Sequence, residues 1–142
     1  MEKIIVYTDG SSLGNGRADA GCGWACKLMY KGHEHMKSGG DIGKTNNQME
    51  MMAVLQAMRS ITDKSIPVEV YSDSSYVVET LNGRYEIKKN LDLWRLLRRE
   101  RGRFASIRFI WVKGHDKNKH NIDVDRLAVE AAKRARQMKG ES

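Results

Sequence analysis

Apolar and polar positions alternate along the first third of the chain and then change period. Ile4-Ile5-Val6-Tyr7 is an apolar run that ends on Asp9 and breaks at Gly10, which reads as a strand delivering a carboxylate to its end. Gly21 to Tyr30 reads as a second strand, Lys31-Gly32 as its hairpin turn, and His33 to Gly39 as a more polar third strand near a sheet edge. From Thr45 to Ile61 the period lengthens. Met49, Met52, Ala53, Gln56 and Ala57 trace one helical face, widened by Met51, Leu55 and Met58, with Thr45 or Asn46 as its cap. Pro67 opens a fourth strand, which again runs into an aspartate followed by small polar residues, Tyr71-Ser72-Asp73-Ser74. A second helix passes through Tyr76, Val77, Val78 and Leu81 and stops at Asn82-Gly83. After a polar, basic connector, Asn90 or Asp92 is expected to cap a third helix with Leu93, Trp94, Leu96 and Leu97 inside and Arg95, Arg98 and Arg99 outside. Ser106 to Val112 reads as the fifth strand, with Ile107, Phe109 and Trp111 alternating with Arg108 and Ile110, and Lys113 to Asn121 as a charged loop. The last helix carries the cleanest stripe, Val124, Leu127, Ala128, Ala131, Ala132, Ala135 and Met138, with Asp125 beside it near the helix start. The order βββαβααβα predicts an α/β sandwich around a mixed five-stranded sheet, in one domain spanning residues 1–142.

Composition changes this picture in two places. The longest apolar runs fall far short of the ~20 residues of a membrane-spanning helix, and Met1-Glu2-Lys3 leads straight into a strand, so a soluble, cytoplasmic protein is expected. Cys22 and Cys26 lie on one strand roughly 13 Å apart, too far to bridge, and are expected to be reduced core thiols. The net charge is +7, and all of it falls between Arg84 and Lys113, where ten Lys/Arg face three acids. Charge so concentrated fits a polyanion such as nucleic acid, or else a solvated helix face. Lys88 and Lys89, in the connector just before Trp94, are candidates for phosphate contacts or, equally, solvated loop lysines. His33 and His35 share a strand face but have no third ligand type nearby and read as surface residues.

The carboxylates carry the candidate chemistry. If the first and fourth strands are neighbours, Asp9 and Asp73 sit side by side at one end of the sheet, and helix starts bring in Glu50 and Asp125. Four carboxylates at one site cannot all stay ionised without cations, because like charges at ~4 Å repel by several kcal/mol at intermediate dielectric. Oxygen-only ligands select hard cations, Mg²⁺ or Mn²⁺ rather than Zn²⁺. Two such ions ~3.5–4 Å apart are a known device for in-line displacement at phosphate.

Tyr7-Thr8-Asp9-Gly10-Ser11, Thr45-Asn46-Asn47-Gln48-Met49-Glu50, Tyr71-Ser72-Asp73-Ser74, Trp111-Val112-Lys113-Gly114-His115, and Asp125 ten residues further on together resemble the motifs of type 1 ribonuclease H, in order and spacing, over nearly the whole chain. The resemblance implies the ribonuclease H-like mixed five-stranded sheet with helices on both faces. It implies an endonuclease hydrolysing the RNA strand of RNA–DNA hybrids, with two Mg²⁺ (Mn²⁺ as a substitute), leaving 5′-phosphate and 3′-hydroxyl ends. Asp9 would bridge both metals, Glu50 and Asp73 would complete one site and Asp125 the other. His115 matches the family's histidine that assists proton transfer or product departure, and His120 is a weaker candidate in the same loop. Ser11, Ser12, Asn15, Asn46, Asn47 and Gln48 match positions that meet the RNA, whose 2′-hydroxyls distinguish it from DNA. Thr45 resembles a residue gripping a DNA phosphate, and Trp94 matches an aromatic of the DNA-side channel. No obligate protein partner is implied, and a monomer is expected.

The chain departs from many bacterial members in having only Asn82 to Leu91 where they carry a long basic protrusion, and Ser75 where a glutamine often follows the second aspartate. No separate amino-terminal hybrid-binding module is expected. Two rivals remain: a related two-metal nuclease acting on duplex DNA, which the Thr45–Glu50 run disfavours, and an idle hybrid-binding protein, disfavoured by the presence of all four carboxylates.

Overall fold

The computed structural model describes residues 2–114 and 118–141, the side chains of 139–141 excepted. The chain forms β1 (Ile4–Ser12), β2 (Gly21–Tyr30), β3 (His33–Ile42), α1 (Asn46–Ser60), β4 (Val68–Ser72), α2 (Ser75–Leu81), α3 (Leu91–Arg101), β5 (Ile107–Trp111) and α4 (Lys119–Glu141). The five strands lie in the order β3-β2-β1-β4-β5. The first three form an antiparallel meander, while β1–β4 and β4–β5 pair in parallel. This is the mixed sheet that the element order predicts, with β3 at an edge as its polarity implies.

The two faces of the sheet are covered differently. On one, α1, α2 and α3 bury Met51, Val54, Leu55, Met58, Val77, Trp94 and Leu97 against Val6, Cys26, Val68, Val70 and Phe109. On the other, α4 packs Val124 and Ala128 on Tyr7 and Ala25. That second contact depends on small residues: a Cβ at Gly23 would run into the Ala128 carbonyl oxygen and the Ala132 backbone. The alanine stripe of α4 therefore buries less apolar area per residue than leucines would, but it brings the helix backbone close to the sheet.

Boundaries follow local chemistry. Thr45 caps α1 in a capping box, its hydroxyl accepting from the Gln48 amide while the Gln48 side chain accepts from the Thr45 amide. Ser74 caps α2 by accepting from the Val77 amide. Asn90 precedes α3 in a left-handed conformation (φ 56°) without capping it; its side chain accepts from Gln48 and donates to the Tyr76 hydroxyl instead.

Several expectations are corrected. Leu96 is exposed rather than inside, because only Trp94 and Leu97 of α3's apolar residues reach full burial. On β5 only Phe109 is buried; Trp111 is exposed and donates its indole N–H to the Asp73 carbonyl. The third strand runs on to Ile42, paired along its length with β2. The charged loop is shorter than the sequence implies, since α4 begins at Lys119, with the Asn118 side chain accepting from the His120 amide. No helix among the described residues is long and apolar enough to cross a membrane.

Cys22 and Cys26 are both free and buried, and burial pushes the Cys26 thiol up to about 11. Neither thiol should react with an aromatic disulfide reagent at pH 8 until denaturant unfolds the chain. Replacing both by alanine should lower the unfolding midpoint without changing activity, and activity that demanded a reducing agent would contradict this.

Candidate active site

The site is built where the pairing of β1 with β4 stops; β1 itself does not break at Gly10, as the sequence suggests, but runs on to Ser12 paired with β2. Their parallel register pairs Tyr7 with Tyr71 and Thr8 with Ser72, so the next residues, Asp9 and Asp73, emerge side by side. The third carboxylate comes from α1, whose backbone touches β1: a Cβ at Gly10 would collide with the backbone at Met49 and Glu50. Only glycine allows that approach. The Gly10 amide then donates to both Glu50 Oε1, in a short contact, and Asp9 Oδ1 at 2.9 Å. One oxygen from each of Asp9, Glu50 and Asp73 lies within 4.8 Å of the others.

Asp125, on the exposed side of α4, acts on Asp9 through both its charge and its side chain. The start of α4 is held by two anchors. The Asn118 side chain donates to the Tyr7 hydroxyl (3.2 Å), and the fully buried Lys27 ammonium of β2 meets Asp123 at 2.9 Å. His115 lies outside the described residues. Gly114 before it stands against Asp73, a Cβ there falling 3.1 Å from Oδ2. His120 packs its ring on Tyr7 at 5.3 Å, and its Nδ1 is buried without a partner.

Electrostatically, the cluster is unbalanced. Asp9 and Glu50 are 5% and 8% exposed, and among the described residues none of the ion pairs involves Asp9, Glu50, Asp73 or Asp125. Burial first, and then the charges of Asp73 and Asp125, push the Asp9 carboxyl up to about 7, although the hydrogen bond with Glu50 opposes this. Glu50 is raised well above the ordinary carboxylate range, mainly by burial and next by Asp9. Buried carboxylates without a protein cation are the donor set that a hard divalent metal satisfies, so the residues present fit one.

Around this cluster the polar residues are knitted together. Asn46 Oδ1 accepts from the Ser12 amide (2.7 Å), and Asn15 Oδ1 accepts from both the Asn46 amide and its side chain. The Ser12 hydroxyl donates to the Lys44 carbonyl, and Gln48 spans from Thr45 to Asn90. Asn47 and Lys88-Lys89 line one cleft of about 530 Å³ with Tyr76 and Asn90. Ser11 is half-buried on β1. Trp94 does not fit a direct channel contact. It is 1% exposed and donates its indole N–H to the Tyr76 hydroxyl, so it supports the cleft from behind. Sequence reading overlooked Asn118, placed inside a charged loop, and Tyr76, taken only as a helix residue; an asparagine just before a helical stripe was the available signal for the first.

The RNase H family profile matches residues 1–133 of the chain. The chain belongs to the ribonuclease H family. It is 36% identical to a ribonuclease H of Chromobacterium violaceum over 140 residues, covering 89% of this chain and 92% of that one. A ribonuclease H of Lachnoclostridium phytofermentans is 38% identical over 149 residues, covering 92% of each. Among solved structures, the N-terminal RNase H domain of Rv2228c from Mycobacterium tuberculosis superposes with a TM-score of 0.84 at 24% identity, covering 98% of this chain and 99% of that one. LC11-RNase H1, isolated from compost by a metagenomic approach, superposes with a TM-score of 0.78 at 27% identity, covering 95% and 99%, and has also been solved in complex with an RNA/DNA hybrid. As a ribonuclease H, the chain is an enzyme that hydrolyses RNA in RNA–DNA hybrids, and its acidic cluster fits the divalent metal that the family generally uses.

The raised Asp9 has a consequence for stability without metal. A carboxyl that holds its proton more tightly folded than unfolded contributes stability at low pH that is lost as pH rises from about 4 through about 7. In chelator, the unfolding midpoint should therefore fall across that window, and Asp9→Asn should flatten the decline, unfolding later than wild type at pH 7.5. Adding Mg²⁺ should raise the wild-type midpoint much more than the variant's. A variant less stable than wild type in chelator at pH 7.5 would show that the Asp9 charge is already compensated.

Proposed function

We propose that this ribonuclease H cuts the RNA strand with two Mg²⁺ held by Asp9, Glu50, Asp73 and Asp125, leaving 5′-phosphate and 3′-hydroxyl ends. The observation that supports this most is the converging, oxygen-only cluster of Asp9, Glu50 and Asp73, with Asp125 acting on Asp9 and no protein cation opposite among the described residues. Bound there, the ions supply Lewis-acid polarisation of the phosphate, activation of water and relief of charge on the leaving oxygen. Asp9 would help hold both ions, with Glu50 and Asp73 completing one site and Asp125 the other. The Gly10 amide fixes the Glu50 and Asp9 carboxylates before any cation arrives, so little reorganisation is left for binding.

The chain's own groups orient the strand. The knitted rim of Ser11, Ser12, Asn15, Asn46, Asn47 and Gln48 offers short polar groups to the RNA backbone and its 2′-hydroxyls. LC11-RNase H1 carries its hybrid on the same fold. Thr45 and the connector lysines Lys88 and Lys89 take phosphates of the DNA strand, in place of the longer protrusion. His115 moves a proton at the departing 3′ oxygen; His120, packed on Tyr7, has the supporting role. All four carboxylates come from one chain, so the proposed active species is a monomer.

Asp9→Asn should abolish Mg²⁺-dependent cleavage of a labelled hybrid while leaving folding and hybrid binding intact; near-normal cleavage would sink the metal assignment. His115→Ala should slow turnover yet leave measurable activity, because charge stabilisation at the phosphate does not depend on it, and a complete loss would overturn its role.

Replacing Lys88 and Lys89 by alanine should lower the slope of log affinity against log salt by up to roughly two, about 0.9 for each phosphate contact on a duplex scale. It should also raise the Michaelis constant with little change in turnover at saturation. An unchanged salt slope would remove the connector from the binding surface.

A further inference from the structure

The cleft that starts at Asn47 continues past the connector. Tyr85, 50% exposed, forms a wall shared by two clefts. On one side lie Asn47, Lys88 and Lys89. On the other, a second cleft of about 530 Å³ is lined by Leu81, Trp94, Arg98 and Arg101. Ile87, Trp94 and Arg98 also line a third cleft, of about 380 Å³, that reaches Leu91 and Arg95. Glu86 is the only carboxylate on these walls among the described residues.

Arg84, on the first cleft, is engaged by Glu79, but cations further along the track are available. Arg98 takes part in no ion pair among the described residues, and Arg95 faces only Asp92, itself 94% exposed, so that pair is worth little. Arg101 donates to the Leu81 carbonyl and so stiffens the floor. Apolar surface is interleaved with the charge: Leu91 is 59% exposed beside Ile87, and Tyr85 presents half of its surface. Cationic side chains alternating with an exposed aromatic suit unpaired nucleotides, whose base faces are free to stack, better than a duplex, whose base faces are hidden.

We propose that these clefts bind the single-stranded continuation of the DNA strand beyond the end of the hybrid, with Tyr85 stacking a base and Arg98 gripping a phosphate. The inference rests on the reading above that Lys88 and Lys89 carry the DNA strand, since the new clefts continue from theirs across Tyr85. Substrates with a single-stranded DNA continuation would then be held more tightly than blunt hybrids of equal length, and the shortened connector would leave the α3 face open to that strand.

The test compares metal-free binding of the full chain, by fluorescence anisotropy, to a blunt hybrid and to the same hybrid extended at either end by about ten unpaired deoxynucleotides, within the site sizes single-strand grooves span. An extension at one end should tighten binding by about five- to tenfold, as stacking one base implies, and steepen the salt slope by about 0.7 for one single-strand phosphate. Arg98→Ala should remove the added slope and most of the gain while leaving blunt-hybrid affinity unchanged, Arg98→Lys should keep the slope, and Tyr85→Leu should lose the gain. Equal affinity for blunt and extended hybrids, a gain that survives Arg98→Ala, or the same gain from an RNA extension would overturn the proposal. Failure to bind the blunt hybrid at all would overturn instead the reading on which it rests.

Discussion

Bringing like charges together inside a protein is unfavourable, and most of this structure can be understood as the scaffold that makes it possible. Asp9 and Glu50 are nearly buried, within hydrogen-bond reach of the same Gly10 amide, and next to Asp73. Each carboxylate is held by a different rigid element: Asp9 inside β1, Glu50 in the second turn of α1, and Asp73 directly after β4. Were any of these a mobile loop, repulsion would be relieved by moving apart. Here the relief comes through proton uptake, which is why Asp9 and Glu50 hold their protons above the ordinary range.

The fourth carboxylate is secured by a different logic. Asp125 stands on an exposed face, so burial does not fix it; the anchoring of α4 does. Lys27 is fully buried with its ammonium on Asp123, a pairing whose hydrogen bond also holds the Asp123 carboxyl below its ordinary range. Such a pair is weak evidence for added stability, but without Asp123 the buried ammonium would keep only the half-exposed Glu34, 3.5 Å away, so the pairing favours this helix position. Small residues on both surfaces, Gly23 and Ala25 against Ala128 and Ala132, let the helix sit close enough for Asp125 to act on Asp9.

On the opposite flank the chain manages with little. Only residues 82–90 join α2 to α3, yet the whole net charge of the protein lies from Arg84 to Lys113. Trp94 and Tyr76 form the supporting wall: the indole and the Asn90 amide both donate to the Tyr76 hydroxyl, and Gln48 joins Asn90 to the start of α1. The same network that caps α1 thereby connects the polar rim beside the carboxylates to the basic surface.

Much of this was legible in the residues alone, because strands and helices announce themselves by period and because Asp9 and Asp73 each follow a β-rich run. The five motifs in order chose the sheet before any coordinates did. What sequence does not encode locally is distance between segments: that Gly10 is bare so that α1 can touch β1, that Asn118 caps a helix while holding Tyr7, and that Lys27 in the middle of a strand has its partner 96 residues away. The same limit explains the misplacements. Trp94, Leu96 and Trp111 are all large and apolar, and periodicity ranks them alike. Only the packing of α3 and β5 against their neighbours decides that Trp94 is sealed in while Leu96 and Trp111 face outward, because burial is set by what stands opposite a side chain in space.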